Sequence, residues 1–222
     1  ADRLATIGQL AAGIAHELNE PLCNILGFSQ LIEKKPELPG SAKQDMEKII
    51  NASLHAREII KKLLFFSRQV PAQKTGIDLN ETIREGLYFL EARCAREGIG
   101  LIYSLDPDLP KIVADPSQMV QVMVNLVVNS IQSMPNGGSI NIRTIAGDSS
   151  IMLTVEDTGV GMSEEAMKKI FIPFYTTKDV DAGTGLGLPV VHGIISSHGG
   201  SVRVHSEVGR GTRFELELPV TQ

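Results

Sequence analysis

The first seventy residues constrain the chain most, because their apolar side chains recur at helical spacing on one face. Leu4, Ile7, Ala11, Ile14, Leu18, Ile25, Phe28 and Ile32 fall three, four or seven residues apart, the spacing of an amphipathic helix with one apolar stripe. Pro21 lies inside that pattern and is expected to bend the helix just after His16. Pro36 to Gly40 makes a turn, and Ser41 is placed to cap a second long helix. In that helix Met46, Ile49, Ser53, Ala56, Ile60 and Leu63 repeat in steps of three and four, close to a heptad seam. Two such helices form an antiparallel hairpin, which cannot bury both stripes by itself. The expected solution is a homodimer in which two hairpins make a four-helix bundle.

The pattern changes after residue 69. Residues 70–76, with Pro71 among basic and amide side chains, form a linker, and residues 77–222 form a second domain. Asn80 is expected to cap a helix reaching about Cys94, and Ile99 to Leu105 alternates as a strand. Asp115 to Met134 is helical; Ser139 to Ala146 and Ile151 to Glu156 are strands joined across Gly147-Asp148. Ser163 caps a short helix, another helix follows Gly187, and Ser201 to Ser206 and Thr212 to Leu218 alternate as strands. Strands and helices interleave without strict βαβ alternation. That favours an α/β sandwich of the α+β kind, a mixed sheet with helices on one face.

Bulk properties exclude several classes. At 222 residues and 42% hydrophobic, the chain can hold one large domain or two small ones. A net charge of −5 with no dominant basic patch argues against nucleic-acid binding. Cys23 and Cys94 are too few for a disulfide framework or a zinc site, which suits a reducing, cytoplasmic setting. No apolar run approaches the roughly 20 residues that span a bilayer, so no membrane contact is expected of this stretch. The chain starts inside a helical pattern, as a part of something longer would. A membrane association of that longer parent stays open.

Five short motifs carry chemistry. Asn125 and Asn129 lie four apart on an otherwise apolar helix, so both carboxamides share a face. Buried amides need partners: either neighbouring backbone takes them, or a carboxamide oxygen ligates Mg²⁺ beside phosphate. Asp157-Thr158-Gly159-Val160-Gly161 ends a strand; it is a plain turn, or its carboxylate accepts from an exocyclic amine while Val160 and Met162 offer apolar surface to a base. Phe171 to Phe174 and the small polar stretch up to Ala182 have the composition of a mobile lid. Gly183-Thr184-Gly185-Leu186-Gly187 leads into a helix start, where backbone N–H groups suit phosphate oxygens. His16-Glu17, far upstream, pairs a nucleophilic imidazole with a carboxylate.

Together and in this order, these runs resemble the N, G1, F and G2 boxes of sensor histidine kinases, and His16-Glu17 with Pro21 resembles their H box. The resemblance covers nearly the whole chain. It implies a dimeric helical hairpin plus the ATP-binding α/β sandwich shared with gyrase and heat-shock chaperones. By the same resemblance His16 accepts the γ-phosphoryl group of ATP and Glu17 orients the ring or takes its proton. Asn129 ligates Mg²⁺, Asn125 assists at the phosphates, Asp157 reads the adenine amino group, and Gly159 and Gly161 let the backbone come close to the nucleotide. Lys178 approaches phosphate from the lid, the loop Gly183, Thr184, Gly185, Leu186 and Gly187 cradles it, and Thr212 supports the adenine end. His55, His192, His198 and His205 are expected to be structural or exposed. The implied partner is a response regulator receiver domain, whose aspartate takes the phosphate.

One departure concerns Glu20. Family members that also dephosphorylate their partner carry Thr, Asn or Gln four residues after the histidine, whereas a carboxylate there would repel an acyl phosphate, which puts phosphatase activity in doubt. Two other readings compete. A conformational ATPase of the gyrase and chaperone type would have a water-activating Glu where this chain has Asn125. A non-catalytic dimeric scaffold would have no need of His16, Glu17, Asn129 and Asp157.

Overall fold

The computed structural model describes residues 18, 21–35, 38–67, 72–177 and 184–220. The chain divides into two compact units, Ala1–Val70 and Pro71–Gln222. His16, Glu17, Glu20, Lys178 and Gly183 lie outside the described residues, as does any bend at Asn19 and Glu20 ahead of Pro21.

The first unit is helical. Helix α1 covers residues 21–33 and α2 covers Gly40–Ser67. Here the expectation for Ser41 is corrected. Lys43 N–H donates to Pro39 O at 3.0 Å, so the helical ladder starts from the Pro39 carbonyl and Ser41 sits inside the first turn. Leu26 and Ser29 on α1 and Ser53 on α2 are buried, and the Ser53 hydroxyl donates to Ile49 O at 2.8 Å. Of the predicted apolar stripe, Leu18, Ile25, Phe28 and Ile32 stand exposed, as does Ile49 on α2, while Ser53 of the α2 seam is buried; Leu31, outside the predicted stripe, is exposed too.

The second unit is built around a five-stranded mixed sheet. In chain order it comprises β1 (Thr75–Ile77), α3 (Leu79–Arg96), β2 (Ile99–Ser104), β3 (Ile112–Ala114), α4 (Pro116–Gln132), β4 (Gly138–Ala146), β5 (Ser150–Asp157), α5 (Glu164–Met167), α6 (Gly187–Ser197), β6 (Ser201–Glu207) and β7 (Gly211–Pro219). Strand order in the large sheet is β2-β4-β5-β7-β6, with β2 and β4 parallel and the remaining pairs antiparallel. One face is apolar: Ile140, Ile142, Ile151, Leu153, Val155, Phe214, Leu216 and Leu218 are buried. Helices α3, α4 and α6 cover it with Ile83, Leu87, Met119, Met123, Leu126, Val191 and Ile195, also buried. The other face meets solvent and carries exposed ion pairs such as Arg213–Glu156 at 3.3 Å, a face of little energetic weight.

Two local expectations give way. Asp78, not Asn80, caps α3: its carboxylate accepts from Glu81 N–H at 3.1 Å. Asn80 sits within the first turn and ties elements together, donating to Asp106 O at 2.7 Å and accepting from the Thr144 hydroxyl at 2.9 Å. Strands β1 and β3 were not expected; they pair antiparallel as a small second sheet, Thr75 opposite Ala114 and Ile77 opposite Ile112. Thr75 and Gly76 therefore belong to the second unit's structure rather than to a free linker.

Asp115 organises the end of the unit where that segment enters. It caps α4, accepting from the N–H groups of Ser117 and Gln118 and from the Ser117 hydroxyl at 2.6–3.2 Å, while its other oxygen accepts from Gln73 N–H at 2.8 Å. Its own N–H donates to His198 Nε2 at 3.1 Å, and His198 Nδ1 lies 2.8 Å from Ile194 O, which fixes the Nδ1–H tautomer of this buried ring. Lys74 Nζ donates to Ser197 O, capping the end of α6.

Burial pushes the Asp115 carboxyl up, but the hydrogen bonds from Ser117, Gln118 and Gln73 outweigh it and hold the group below the usual 3.8. Because the folded value is depressed, its stabilisation is complete above the ordinary carboxylate range and fades as pH falls through the folded value. We expect Asp115→Ala to lower the unfolding free energy by about 2 kcal/mol at neutral pH. Urea unfolding of the full chain at neutral and acid pH checks this: the gap between wild type and variant should close in acid. A gap that stays constant would count against it.

Candidate active site

Helix α4 carries the site along its C-terminal half. Its strongly apolar face packs on the sheet, which leaves Asn125, Asn129 and Ser133 four apart on another. Asn125 and Asn129 face the start of α6: a methyl group added to Gly187 would stand 3.5 Å from Asn125 Oδ1 and 3.6 Å from Asn129 Nδ2. The Asn125 Nδ2 atom is buried and has no hydrogen-bond partner. A buried amide donor left unpaired costs on the order of 1–3 kcal/mol; Oδ1 is the Asn125 atom that faces Gly187, and a half turn of the terminal torsion would turn the donor to that helix N-terminus, where an anionic oxygen would pair with it. Asn129 presents its nitrogen towards Gly187; a half turn of its terminal torsion, which has two nearly equivalent settings, would present the oxygen.

About one helical turn further along α4, roughly 6 Å, lies the carboxylate of Asp157. Asp157 ends β5 and is buried. Its Oδ1 accepts from Gly159 N–H at 2.9 Å, Thr212 N–H at 3.2 Å and the Ser133 hydroxyl at 3.2 Å; its Oδ2 accepts from the Ser130 hydroxyl at 2.9 Å. Strand pairing explains the Thr212 contact, since Asp157 and Thr212 are opposite in the β5–β7 register. The Thr212 hydroxyl is itself paired with Ser206 at 2.9 Å, and Ser206 also accepts from Met162 N–H.

Close approach dictates glycine at 159. A methyl there would lie 2.0 Å from the Ser133 hydroxyl oxygen and 2.8 Å from Ser133 O, so the turn after β5 packs directly on α4. The Val160 N–H donates to that same Ser133 carbonyl, and Val160 stands exposed beside it. Gly161 is blocked in the same way by Glu207 O.

The phenylalanine segment is clasped to the glycine loop. Phe174 N–H donates to Gly185 O at 3.0 Å. Both residues are left-handed, Phe174 at φ 67° and Gly185 at φ 64°; a side chain at 185 would meet the Phe174 backbone at 2.5 Å. A non-glycine residue held at positive φ stores strain, and the hydrogen bond to Gly185 is one contact that holds it. Phe171 stacks obliquely on His192, ring centres 5.1 Å apart.

The structure thus brings Asn125, Asn129 and Gly187 together, and separately Asp157, Gly159 and Thr212, with α4 joining the two groups. Leu186 is a buried core residue, which leaves only its backbone to a ligand; Thr184 is half-buried. Ser130 and Ser133 were missed in the sequence. Their signal was there: Ser130 follows Asn129, and Ser133 continues its face one turn on. Among the described residues no cluster of three or more His, Cys, Asp or Glu could hold a metal ion, so a cation here would rely on amide oxygen and ligand phosphate.

Residues 114–222 match the family of histidine kinase-, DNA gyrase B- and HSP90-like ATPases, and residues 6–70 match the His kinase A (phospho-acceptor) domain. The sensor histidine kinase ZraS of Escherichia coli (strain K12) is 33% identical over 219 residues, covering 99% of this chain and 47% of that protein. The chain therefore spans about half the length of this curated relative. Among solved structures, full-length ShkA in complex with AMPPNP superposes with a TM-score of 0.82 at 25% identity, covering 95% of this chain and 45% of that one. The catalytic domain of the histidine kinase ThkA is 35% identical with a TM-score of 0.60, covering 66% of this chain and 95% of that domain. ThkA in complex with the response regulator TrrA gives a TM-score of 0.71 at 30% identity, covering 99% of this chain and 64% of that one. With a phospho-acceptor match, an ATPase match and these relatives on one sheet-and-helix frame, the chain belongs to the sensor histidine kinases of two-component signalling and spans their catalytic core.

Proposed function

We propose that this core takes the γ-phosphoryl group of ATP onto His16 and passes it to an aspartate of a response regulator receiver domain. One observation carries the reading: α4 presents the Asn125 and Asn129 amides to the start of α6 and, from Ser130 and Ser133, two hydroxyls to the buried Asp157. That is a phosphate-binding end and a base-reading end on a single rigid element. The relatives crystallised with AMPPNP and with a response regulator support it.

Phosphoryl transfer needs an in-line nucleophile and neutralised phosphate oxygens more than covalent help. The neutral His16 ring offers one nitrogen lone pair while Glu17 holds the other N–H. The N–P bond forms, the bond from the γ-phosphorus to its bridging oxygen breaks, ADP leaves, and the ring proton is shared with Glu17. Asn125 and the N–H groups from Thr184 to Gly187 bind phosphate oxygens, with Gly183 and Lys178 as further phosphate contacts. Asn129 would hold Mg²⁺ through its amide oxygen, and the ion would neutralise phosphate charge. Asp157 accepts from the adenine amine, with Gly161 and Thr212 shaping that end. The phosphoramidate is labile, which suits onward transfer.

Dimerisation belongs to the same proposal. The exposed stripe of Ile25, Phe28, Leu31, Ile32 and Ile49 is surface that a second copy would cover in a four-helix bundle. No helix among the described residues is long and apolar enough to cross a membrane, and a cytoplasmic setting fits the use of ATP. Residues 1–69 are assigned to the phosphoacceptor domain and 77–222 to the ATP-binding domain, with 70–76 as the stretch between them, of which Thr75 and Gly76 pair into the second unit. The hydrolytic alternative is disfavoured at Asn125, because a carboxamide cannot take a proton from water. Glu20 disfavours phosphatase activity, since its charge would repel the partner's acyl phosphate.

His16→Gln should abolish incorporation of acid-labile phosphate from γ-labelled ATP and leave ATP binding by calorimetry intact. Labelling at the wild-type rate would remove His16 as the acceptor. Asp157→Asn turns an acceptor pair into a group carrying donors against Gly159 and Thr212, and should weaken ATP binding about 10- to 100-fold; unchanged affinity would sink the assignment. Asn129→Ala should eliminate transfer and Asn129→Asp should shift its Mg²⁺ dependence. Identical Mg²⁺ titrations for all three proteins would take Asn129 out of the site.

A further inference from the structure

The donors around Asp157 are unevenly placed, and the imbalance bears on which base the site accepts. An ionised carboxylate has two oxygens and about four lone-pair directions. Oδ1 is taken by the backbone N–H groups of Gly159 and Thr212, with the Ser133 hydroxyl also near at 3.2 Å. Ser133 has one hydrogen, and Ser130 O lies closer to it at 2.8 Å, so its hold on Oδ1 is the weaker. Among the described residues Oδ2 has a single donor, the Ser130 hydroxyl at 2.9 Å. Ser130 is only 2% exposed, so this hydroxyl depends on protein partners and is held to Asp157.

An unencumbered carboxylate offers two parallel oxygens. That is the receptor for a base edge with two adjacent donors, the ring N–H and amino group of guanine. With Oδ1 filled by backbone and half of Oδ2 filled by Ser130, one acceptor direction remains. A single exocyclic amine, as on adenine, satisfies it; a guanine edge would leave one donor buried and unpaired, which is costly.

We propose that Ser130 is a positioning residue that sets base specificity: by loading Oδ2 of Asp157 it leaves one acceptor position and so favours adenine over guanine nucleotides. This rests on the reading of Asp157 as the base-reading group.

The test is calorimetric binding of ATP and of GTP, with Mg²⁺, to the full chain and its Ser130→Ala and Ser133→Ala variants. Alanine is the better helix former, so both variants should fold, which a thermal melt verifies. Ser130→Ala should narrow the ATP-over-GTP affinity ratio about three- to tenfold, through tighter GTP, weaker ATP or both. Ser133→Ala should narrow it less. An unchanged ratio in Ser130→Ala, or a larger effect at Ser133, overturns the proposal. A wild-type chain that binds both nucleotides equally instead overturns the assignment of Asp157 itself.

Discussion

A carboxylate buried at the end of β5 is the constraint on which the second unit turns. Removing such a charge from water costs on the order of several kcal/mol unless donors replace the solvent. The donors at Asp157 come from three places remote in sequence: the helix before it, the turn after it and the strand that closes the sheet. Each must be correctly placed for the others to help. The carboxylate thereby fixes the depth at which α4 sits, the sharpness of the turn at Gly159 and the register of β7. A ligand that uses the remaining acceptor inherits a position already set by the fold, which is the sense in which the site is preorganised.

Helix α4 meets two demands with one periodicity. Met119, Val122, Met123, Leu126, Val127 and Ile131 are buried in the core, while Asn125, Asn129 and Ser133 follow their own four-residue step on an adjoining face. The same residues could not serve both ends in a strand, where alternate side chains point to opposite sides. The loop and strand segments supply what the helix lacks.

Much of this was legible in the sequence because it depends on local chemistry. The cap at Ser163, the paired amides and the strands of the large sheet all followed from spacing and residue type. The errors share a cause. Ser41 and Asn80 are good cap residues, but Pro39 and Asp78 stand nearer to where each ladder begins, and Asn80 found tertiary partners instead. Strands β1 and β3 are three residues each, too short for alternation to register, and exist only because they pair across 35 or more residues. Ser130 and Ser133 look neutral in a helical pattern; their value appears only once β5 delivers a carboxylate to them.

Strand β7 holds an interior place in the sheet, between β5 and β6, although it is the last strand of the unit to be made. Until residues 211–219 emerge, β5 has an open edge and β6 has no strand to pair with. Non-local pairing of this kind is slow and leaves apolar surface uncovered meanwhile. The Thr212 N–H arrives with that strand, so the carboxylate of Asp157 is without its full set of donors during synthesis. Any nucleotide that prefers the finished site will therefore act on folding as well as on function, drawing the chain through its final step by mass action.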